Sequence, residues 1–219
     1  MSLRESEGNM YDFVSHTFNG IKGRCPHDCE YCYMKQFPQN EVRLDEKALK
    51  LDLGTDNFIF VGSSCDMFAE DIPIEWIKKV LDYCSTFKNK YLFQSKNPER
   101  MYKMLKDFTR PIVFGTTIET NRLYKQLGKT PSVMERAKWM RLLNEMGETM
   151  ITIEPIMDFD TEELTAIMKE AKPTWINIGA DSKGHNLPEP SKEKILELVA
   201  ELEKFTEIRK KHNMERILG

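Results

Sequence analysis

Six short apolar runs rich in β-branched and aromatic residues alternate along this chain with segments of helical periodicity. The apolar runs are 13–18, 58–61, 91–93, 112–115, 150–153 and 175–178. Helical spacing of apolar residues occupies the intervals between them, for example over 74–84, 98–108, 133–146 and 162–171. Such alternation predicts an α/β fold with a parallel sheet and right-handed crossovers, either an open doubly wound sheet or a barrel. Six units are two fewer than a complete eightfold barrel contains.

A single domain is predicted over residues 1–219, because no Pro/Gly-rich linker or low-complexity tract divides the chain. The polar residues 1–10 are expected to be flexible. Residues 191–218 are expected to form a long C-terminal helix that begins at the candidate N-cap Ser191. Its apolar face would carry the helically spaced residues Ile195, Leu198, Val199 and Leu202.

Composition favours a cytoplasmic protein. No apolar run approaches the roughly 18 residues that a membrane helix needs, so we expect no membrane association. An odd count of five cysteines is more typical of a reducing compartment than of a disulfide framework. The net charge of −3 does not decide between partners, because nucleic-acid binding depends on local basic patches.

Three of the five cysteines, Cys25, Cys29 and Cys32, are spaced C-x3-C-x2-C. Three thiolates on one short loop can hold a 4Fe-4S cluster and leave the fourth iron open to a ligand, whereas four thiolates would close it. The spacing therefore indicates chemistry at an iron-sulfur site. The same residues allow an alternative, a structural zinc site with His27 as the fourth ligand, but the chain contains no second ligand pair of the usual kind.

Polar residues follow every predicted strand. Ligands in α/β folds bind where loops leave the carboxyl ends of parallel strands, so these residues are expected to share a rim with the cysteine loop. They include Ser63 to Asp66, Ser95 and Lys96, Thr117 and Glu119, Glu154, and Asp181 to His185.

The motif C-x3-C-x-aromatic-C, with Tyr31 at the aromatic position, resembles the signature of the radical S-adenosylmethionine (radical SAM) superfamily. A phage and bacterial subgroup distantly related to spore photoproduct lyase is the most similar to this chain. That resemblance rests on Thr17-Phe18-Asn19, Ser95-Lys96, Ile118-Glu119, Ile153-Glu154-Pro155 and the turn at Gly179. It implies a partial (β/α)6 TIM-like barrel, open on one side, with the cluster at its rim.

The resemblance also implies a reaction. A 4Fe-4S cluster on the three cysteines would reductively cleave S-adenosylmethionine, and the resulting 5′-deoxyadenosyl radical would abstract hydrogen from a substrate. An electron donor such as flavodoxin or ferredoxin would be the partner, and a nucleobase, nucleotide or nucleic acid the substrate. A radical SAM enzyme acting on a peptide or small metabolite is one alternative, and a non-catalytic iron-sulfur or zinc module is another.

The methionine part of S-adenosylmethionine would be held by residues after the second and third predicted strands. Ser63 and Ser64 are the candidates for the amino group, with Ser64 favoured and Asp66 as a possible substitute. This chain has Gly62-Ser63-Ser64 where the family usually has Gly-Gly-Glu. Lys96 would supply the cation for the carboxylate.

The adenosine part would be held by Glu119 and Thr117, which suit the ribose diol, and by Tyr31, which would face the adenine. Cys65 is either a hydrogen-atom donor at the rim or an incidental small residue, and Glu154 is either a catalytic carboxylate or a strand terminator. Cys84 lies on an apolar helix stripe and is assigned to the core.

Two further groups have a functional and a structural interpretation. The three residues Asp181, Lys183 and His185 either grip the substrate or cap a turn. The basic residues 209–212 either bind phosphates or complement the dipole of the C-terminal helix, and we favour the second role.

Overall fold

The computed structural model describes residues 3–6, 10–38, 40–109 and 111–219. Part of the stretch predicted to be flexible, residues 1–2 and 7–9, lies outside these ranges. Within that stretch, residues 4 and 5 form a short strand.

The described residues form ten strands and six α-helices. The strands are β1 (Arg4–Glu5), β2 (His16–Phe18), β3 (Ile21–Lys22), β4 (Arg43–Leu44), β5 (Phe58–Val61), β6 (Lys90–Gln94), β7 (Ile112–Thr117), β8 (Glu148–Ile153), β9 (Trp175–Ile178) and β10 (Glu207–Lys210). The helices are α1 (Ile74–Ser85), α2 (Pro98–Lys103), α3 (Val133–Asn144), α4 (Thr161–Ala171), α5 (Lys192–Leu202) and α6 (Glu215–Leu218).

Eight strands form one sheet in the order β1-β2-β5-β6-β7-β8-β9-β10, and β3 pairs with β4 in a separate ribbon. Strands β2 to β10 of the sheet are parallel to one another, and β1 is antiparallel to β2. Among the described residues β1 and β10 do not pair with each other, so the sheet is an open, partial TIM-like barrel. The predicted fold class is confirmed, with one more parallel strand than the six expected.

Side chains alternate between the two faces of the sheet, as the pleat requires. One face carries Ile59, Ile151 and Ile176, which are buried against the helices in the main core. The other face is covered at its amino end by residues 10–14, where Tyr11 and Val14 pack with five strand residues: Phe60, Leu92, Val113, Met150 and Trp175.

The face that residues 10–14 cover becomes polar towards the carboxyl ends of the strands. Gln94 lies two residues after Leu92 on β6, and Thr152 lies two residues after Met150 on β8. Both side chains form hydrogen bonds with the buried hydroxyl of Tyr11, Gln94 at 2.8 Å and Thr152 at 2.6 Å. An apolar layer therefore closes one end of the sheet, and polar groups face the other end, where the cysteine loop lies.

The predicted C-terminal helix over 191–218 is wrong. Helix α5 begins after the N-cap Ser191, whose hydroxyl accepts from the Lys194 amide, but it ends at Leu202 because the helical spacing of apolar residues stops there. Strand β10 follows and pairs in parallel with β9, which otherwise would present an open edge. The basic residues 209–212 therefore lie on and after a strand, and the interpretation of their charge as complementing a helix dipole is also wrong.

None of the helices in the described part of the chain is long and apolar enough to cross a membrane.

Candidate active site

The cysteine loop leaves the ribbon strand β3 and ends in a short 3-10 turn over Tyr33–Gln36. Its backbone is compact, because the amides of Asp28 and Cys32 donate to the carbonyl oxygens of Cys25 and Cys29, each at 3.2 Å. Cys29 is buried, and Cys25 and Cys32 are half-buried. None of the three thiols forms a disulfide bond. The loop therefore presents three thiols within eight residues.

His27 anchors this loop to its surroundings. Its Nε2 lies 2.8 Å from Asp66 Oδ2 and its Nδ1 lies 3.0 Å from the Lys129 carbonyl oxygen. Burial opposes the charged form, but the Asp66 carboxylate outweighs it and raises the pKa of His27 to about 8. Since both ring nitrogens are engaged, the alternative of a zinc site with His27 as a ligand is not supported.

Gly128 allows the close approach on which this anchoring depends. It has φ +72°, and an added Cβ would overlap the carbonyl oxygen of His27. The next residue, Lys129, donates its amide to that same oxygen at 2.6 Å. The loop after β7 is thus fastened to the cysteine loop through backbone and side chain together.

Asp66 connects the cysteine loop to the carboxyl ends of β5 and β6. Besides His27, its Oδ2 accepts from the Ser95 hydroxyl at 3.0 Å and from the Lys96 amide at 2.8 Å. Burial alone would raise its pKa, but the charge on His27 and these hydrogen bonds lower it. With its oxygens engaged in this way, Asp66 has a structural role, and its suggested contact with the methionine amino group is not supported.

Ser63 and Ser64 stand at the end of β5 and are held there by Asn19. The Asn19 amide donates to Ser63 Oγ at 3.2 Å, and its Oδ1 accepts from the Ser64 amide at 2.9 Å. Tyr33, just after Cys32, donates its hydroxyl to the Ser63 carbonyl oxygen at 2.7 Å. The two serines therefore lie beside the cysteine loop, as predicted from their place in the sequence.

Tyr31, Lys96 and Glu119 come from three separate segments and meet at one point. The Lys96 ammonium forms an ion pair with Glu119 and donates to the Tyr31 hydroxyl at 2.8 Å, and that hydroxyl in turn donates to Glu119. The sequence placed all three at the rim, and the structure brings them into direct contact. Their proposed roles toward a cofactor remain predictions.

Arg136 completes this group, and the sequence analysis did not identify it as a site residue. Its guanidinium donates to Glu119 Oε2 at 2.9 Å and to the Thr117 carbonyl oxygen. Arg136 is 1% exposed and Glu119 0%. Burial disfavours the Glu119 charge, but Lys96 and Arg136 outweigh it and hold the pKa of that carboxyl well below its usual range. A signal was present, because Arg136 interrupts the apolar stripe of α3 at a core position beside Val133 and Ala137.

Thr117 turns its side chain away from this pair of charges. Its hydroxyl accepts from the Gln94 amide at 3.1 Å, within the polar layer above Tyr11. Its predicted contact with a ribose stays a prediction.

Glu154 lies at the end of β8 and is held by two residues that the sequence analysis did not select for the site. Lys211 Nζ lies 2.7 Å from Glu154 Oε2, and the Asn213 amide donates to Oε1 at 3.0 Å. A Cβ on Gly179 would lie 2.6 Å from Glu154 Cδ, so a side chain at this position would displace the carboxylate. Strand β10 positions Lys211, and β10 was not predicted.

Cys65 is 2% exposed and lies behind the cysteine loop. A hydrogen bond between its thiol and Cys25 lowers the pKa of Cys25, which favours the thiolate form that binds metals. Such a buried position gives no support to a hydrogen-atom donor at the rim, and that role stays a prediction. Cys84 is buried in the core, as expected.

The residues after β9 form a capped turn. Asp181 accepts from the Lys183 amide at 3.1 Å, and its Oδ1 lies 2.6 Å from His185 Nδ1. Those contacts favour the structural interpretation of Asp181 and His185.

The donor set at the loop fits an iron-sulfur cluster with one open iron. Three cysteines occupy one short loop at the carboxyl end of the sheet. In the part of the chain that the structure describes, no group of three or more His, Cys, Asp or Glu side chains is arranged so that it could hold a single metal ion.

Solved structures with the same fold include two enzymes. A spore photoproduct lyase variant aligns with a TM-score of 0.64 at 11% identity, over 93% of this chain and 78% of that one. A second variant, with bound AdoMet and dinucleoside spore photoproduct, aligns with a TM-score of 0.56 at 11% identity, over 90% of this chain and 64% of that one. SuiB of Streptococcus suis bound to S-adenosylmethionine aligns with a TM-score of 0.59 at 11% identity, over 90% of this chain and 51% of SuiB.

This chain therefore has the fold of spore photoproduct lyase and SuiB, and the predicted resemblance to spore photoproduct lyase is confirmed at the level of the fold. This chain covers between 51% and 78% of the length of the three solved chains that it was compared with. By sequence, the chain belongs to the family described as Protein of unknown function (DUF5131), whose model matches residues 9–193. The comparison with curated proteins found no match.

Proposed function

We propose that this protein is a radical SAM enzyme with a 4Fe-4S cluster on Cys25, Cys29 and Cys32. One observation carries the proposal: the cysteine loop and the Tyr31, Lys96 and Glu119 group share one rim of a fold found in S-adenosylmethionine-binding enzymes. When bound and reduced, the cluster supplies the electron that cleaves S-adenosylmethionine to methionine and the 5′-deoxyadenosyl radical, which takes hydrogen from the substrate.

Lys96 is the residue best placed to bind the methionine carboxylate. Unlike the buried Glu119 and Arg136, it is partly accessible, with 16% of its side chain exposed. An ammonium has three N–H donors, so Lys96 can hold Glu119 and Tyr31 and still donate to a carboxylate. Ser63 and Ser64, fixed by Asn19, offer hydroxyl oxygens to the amino group.

Glu119 acts in this proposal as a positioning residue. Complete burial leaves it no surface for direct contact with a ribose, which argues against the contact first expected. It instead fixes the Lys96 ammonium and the Tyr31 hydroxyl from below, while Arg136 supplies the second positive charge that keeps it ionised. Tyr31 and Thr117 remain the proposed contacts of the adenosine part.

The proposed substrate is a nucleobase, nucleotide or nucleic acid. Spore photoproduct lyase, which shares the fold, has been solved with a dinucleoside spore photoproduct. Glu154, which lies at the end of β8 between Lys211 and Asn213, is proposed to contact the substrate. A flavodoxin or ferredoxin is proposed as the electron donor.

The test is anaerobic. Iron and sulfide are reconstituted into the protein, dithionite and S-adenosylmethionine are added, and 5′-deoxyadenosine is followed by chromatography, with Cys29→Ala as the control. Formation of 5′-deoxyadenosine by the wild type alone supports the proposal. No product, together with tightly bound zinc and no cluster absorbance, would leave a structural metal protein.

A further inference from the structure

A cleft of about 360 Å³ opens beside the cysteine loop, at the β1-β2 edge of the sheet. Its walls come from β1, β2, the β3-β4 ribbon and the end of β5. Among the described residues that line the cleft, three are cationic: Arg4, Lys22 and Arg43. None of the described lining residues is an aspartate or a glutamate. This local excess is opposite in sign to the net charge of −3 of the whole chain.

The β3-β4 ribbon holds two of these cations in an unfavourable arrangement. Lys22 and Arg43 are direct cross-strand partners, so their side chains lie on the same face, where like charges destabilise a pair of strands. Asp45 neutralises Lys22 at 2.7 Å. Within the described ranges no carboxylate forms an ion pair with Arg43 or with Arg4. A cleft lined by cations attracts anions to it.

Backbone geometry holds the ribbon in this form. Gly23 has φ +114°, and a Cβ there would overlap the carbonyl oxygen of Glu41 on the opposing segment. The amide of Arg24 donates to the Asn40 carbonyl oxygen at 2.8 Å. The charged face of the ribbon is therefore fixed relative to the cysteine loop that follows it.

The cleft is continuous with the proposed cofactor site. Asn19 and Ser64 line it, and these are the residues that shape the end of β5 beside the cysteines. Two aromatic side chains on the loop are exposed nearby, Tyr33 at 43% and Phe37 at 51%.

We propose that this cleft binds the phosphates of a nucleotide or single-stranded nucleic acid substrate, with Arg4 and Arg43 as the phosphate contacts. Cations interleaved with exposed aromatic rings are the usual surface for single strands, because rings stack on bases while the cations follow the backbone. A cleft of about 360 Å³ suits a phosphate chain better than an acidic protein, whose interface would need about 800 Å² on this side. The inference rests on the proposed function, since bound phosphates would bring a base or sugar to the cofactors.

The experiment measures binding of a fluorescein-labelled oligothymidylate of about eight nucleotides to the anaerobically reconstituted protein, by fluorescence anisotropy. Arg4→Gln and Arg43→Gln are compared with Arg141→Gln, which removes the same charge from α3 outside the cleft. Each cleft variant is expected to weaken binding severalfold. Between roughly 50 and 200 mM salt, the slope of log affinity against log salt should become shallower by about 0.7 per lost phosphate contact.

Competitors identify the form of the ligand. Displacement of the probe by a mononucleotide would assign a single nucleotide, and displacement by oligonucleotides alone would assign a strand, and both results support the proposal. Equal affinities and salt slopes for the wild type, the two cleft variants and Arg141→Gln would overturn it. It would also be overturned if the cleft variants weakened binding of an acidic flavodoxin and left the oligonucleotide unaffected.

The formation of 5′-deoxyadenosine by the wild type is a separate measurement. A protein that binds the probe through Arg43 but makes no 5′-deoxyadenosine would refute the proposed function and leave the phosphate site standing. A protein that makes 5′-deoxyadenosine but binds the probe equally well without Arg4 and Arg43 would do the reverse.

Discussion

The buried ion pair between Arg136 and Glu119 is expected to contribute to stability far more than a surface pair on the same helix. Both side chains are almost fully buried and 2.9 Å apart. Removing one partner of such a pair leaves the other charge buried, at a cost of about 3–5 kcal/mol. In Arg136→Met, Lys96 still faces Glu119, so we expect the lower part of that range, about 3 kcal/mol.

Arg141 on α3 provides the matched control. Its pair with Glu170 spans 3.2 Å, and both side chains are more than 40% exposed. Solvent screening limits such pairs to about 0–1 kcal/mol, so Arg141→Met should change the free energy of unfolding little. Urea denaturation followed by circular dichroism measures both variants. A loss in Arg136→Met no larger than the loss in Arg141→Met would refute the reasoning. If Arg136→Met fails to fold, Arg136→Lys, which keeps the charge, should give an intermediate loss.

The same pair predicts a dependence on pH. The pKa of Glu119 is depressed in the folded protein, so its contribution is complete above the unfolded value, about 4.3, and is lost as the pH falls towards the folded value. Without Arg136 the folded pKa rises. Acid denaturation of Arg136→Met should therefore begin at a higher pH than that of the wild type. Identical acid midpoints would contradict the depressed pKa.

Three further variants test the site. Lys96→Met should weaken S-adenosylmethionine binding about 10-fold or more by removing a charge-assisted hydrogen bond, measured by equilibrium dialysis, and unchanged affinity would exclude the proposed contact. Gly128→Ala should destabilise the protein by at least about 1 kcal/mol and lower the iron content after reconstitution, because a Cβ there overlaps the His27 carbonyl oxygen, and a wild-type iron content would contradict this anchoring. Lys211→Met should cost about 1.5–3 kcal/mol in urea denaturation by removing the ammonium 2.7 Å from Glu154 Oε2, and a smaller loss would show that this pair contributes little.

Local patterns predicted the sheet well because each strand carries its own signal. The run 58–61 coincides with β5, and 175–178 coincides with β9, since both are short, apolar and bounded by polar turns. The cysteine spacing likewise lies within a single loop. Residues placed after strand ends, such as Lys96 and Glu119, could be assigned to one rim because parallel strands bring their carboxyl ends to one edge.

Strand β10 shows where local patterns were insufficient. Its four residues, Glu207–Lys210, are mostly polar, and they form a strand because β9 offers an edge with unpaired amide and carbonyl groups. The helical spacing of apolar residues from Ile195 to Leu202 does not predict the conformation of the segment that follows. Lys211 and Asn213 could not be connected to Glu154 without that long-range pairing.

The sequence by itself determined the α/β class, the three-cysteine loop and the strand ends that surround it, because these depend on periodicity and spacing within short windows. Only the tertiary structure decided what each polar group faces. Arg136 against Glu119, His27 against Asp66, and Arg43 opposite Lys22 are contacts between segments distant or separately folded along the chain. Burial and charge at those contacts arise from packing, and packing is a property of the folded molecule rather than of any short stretch of residues.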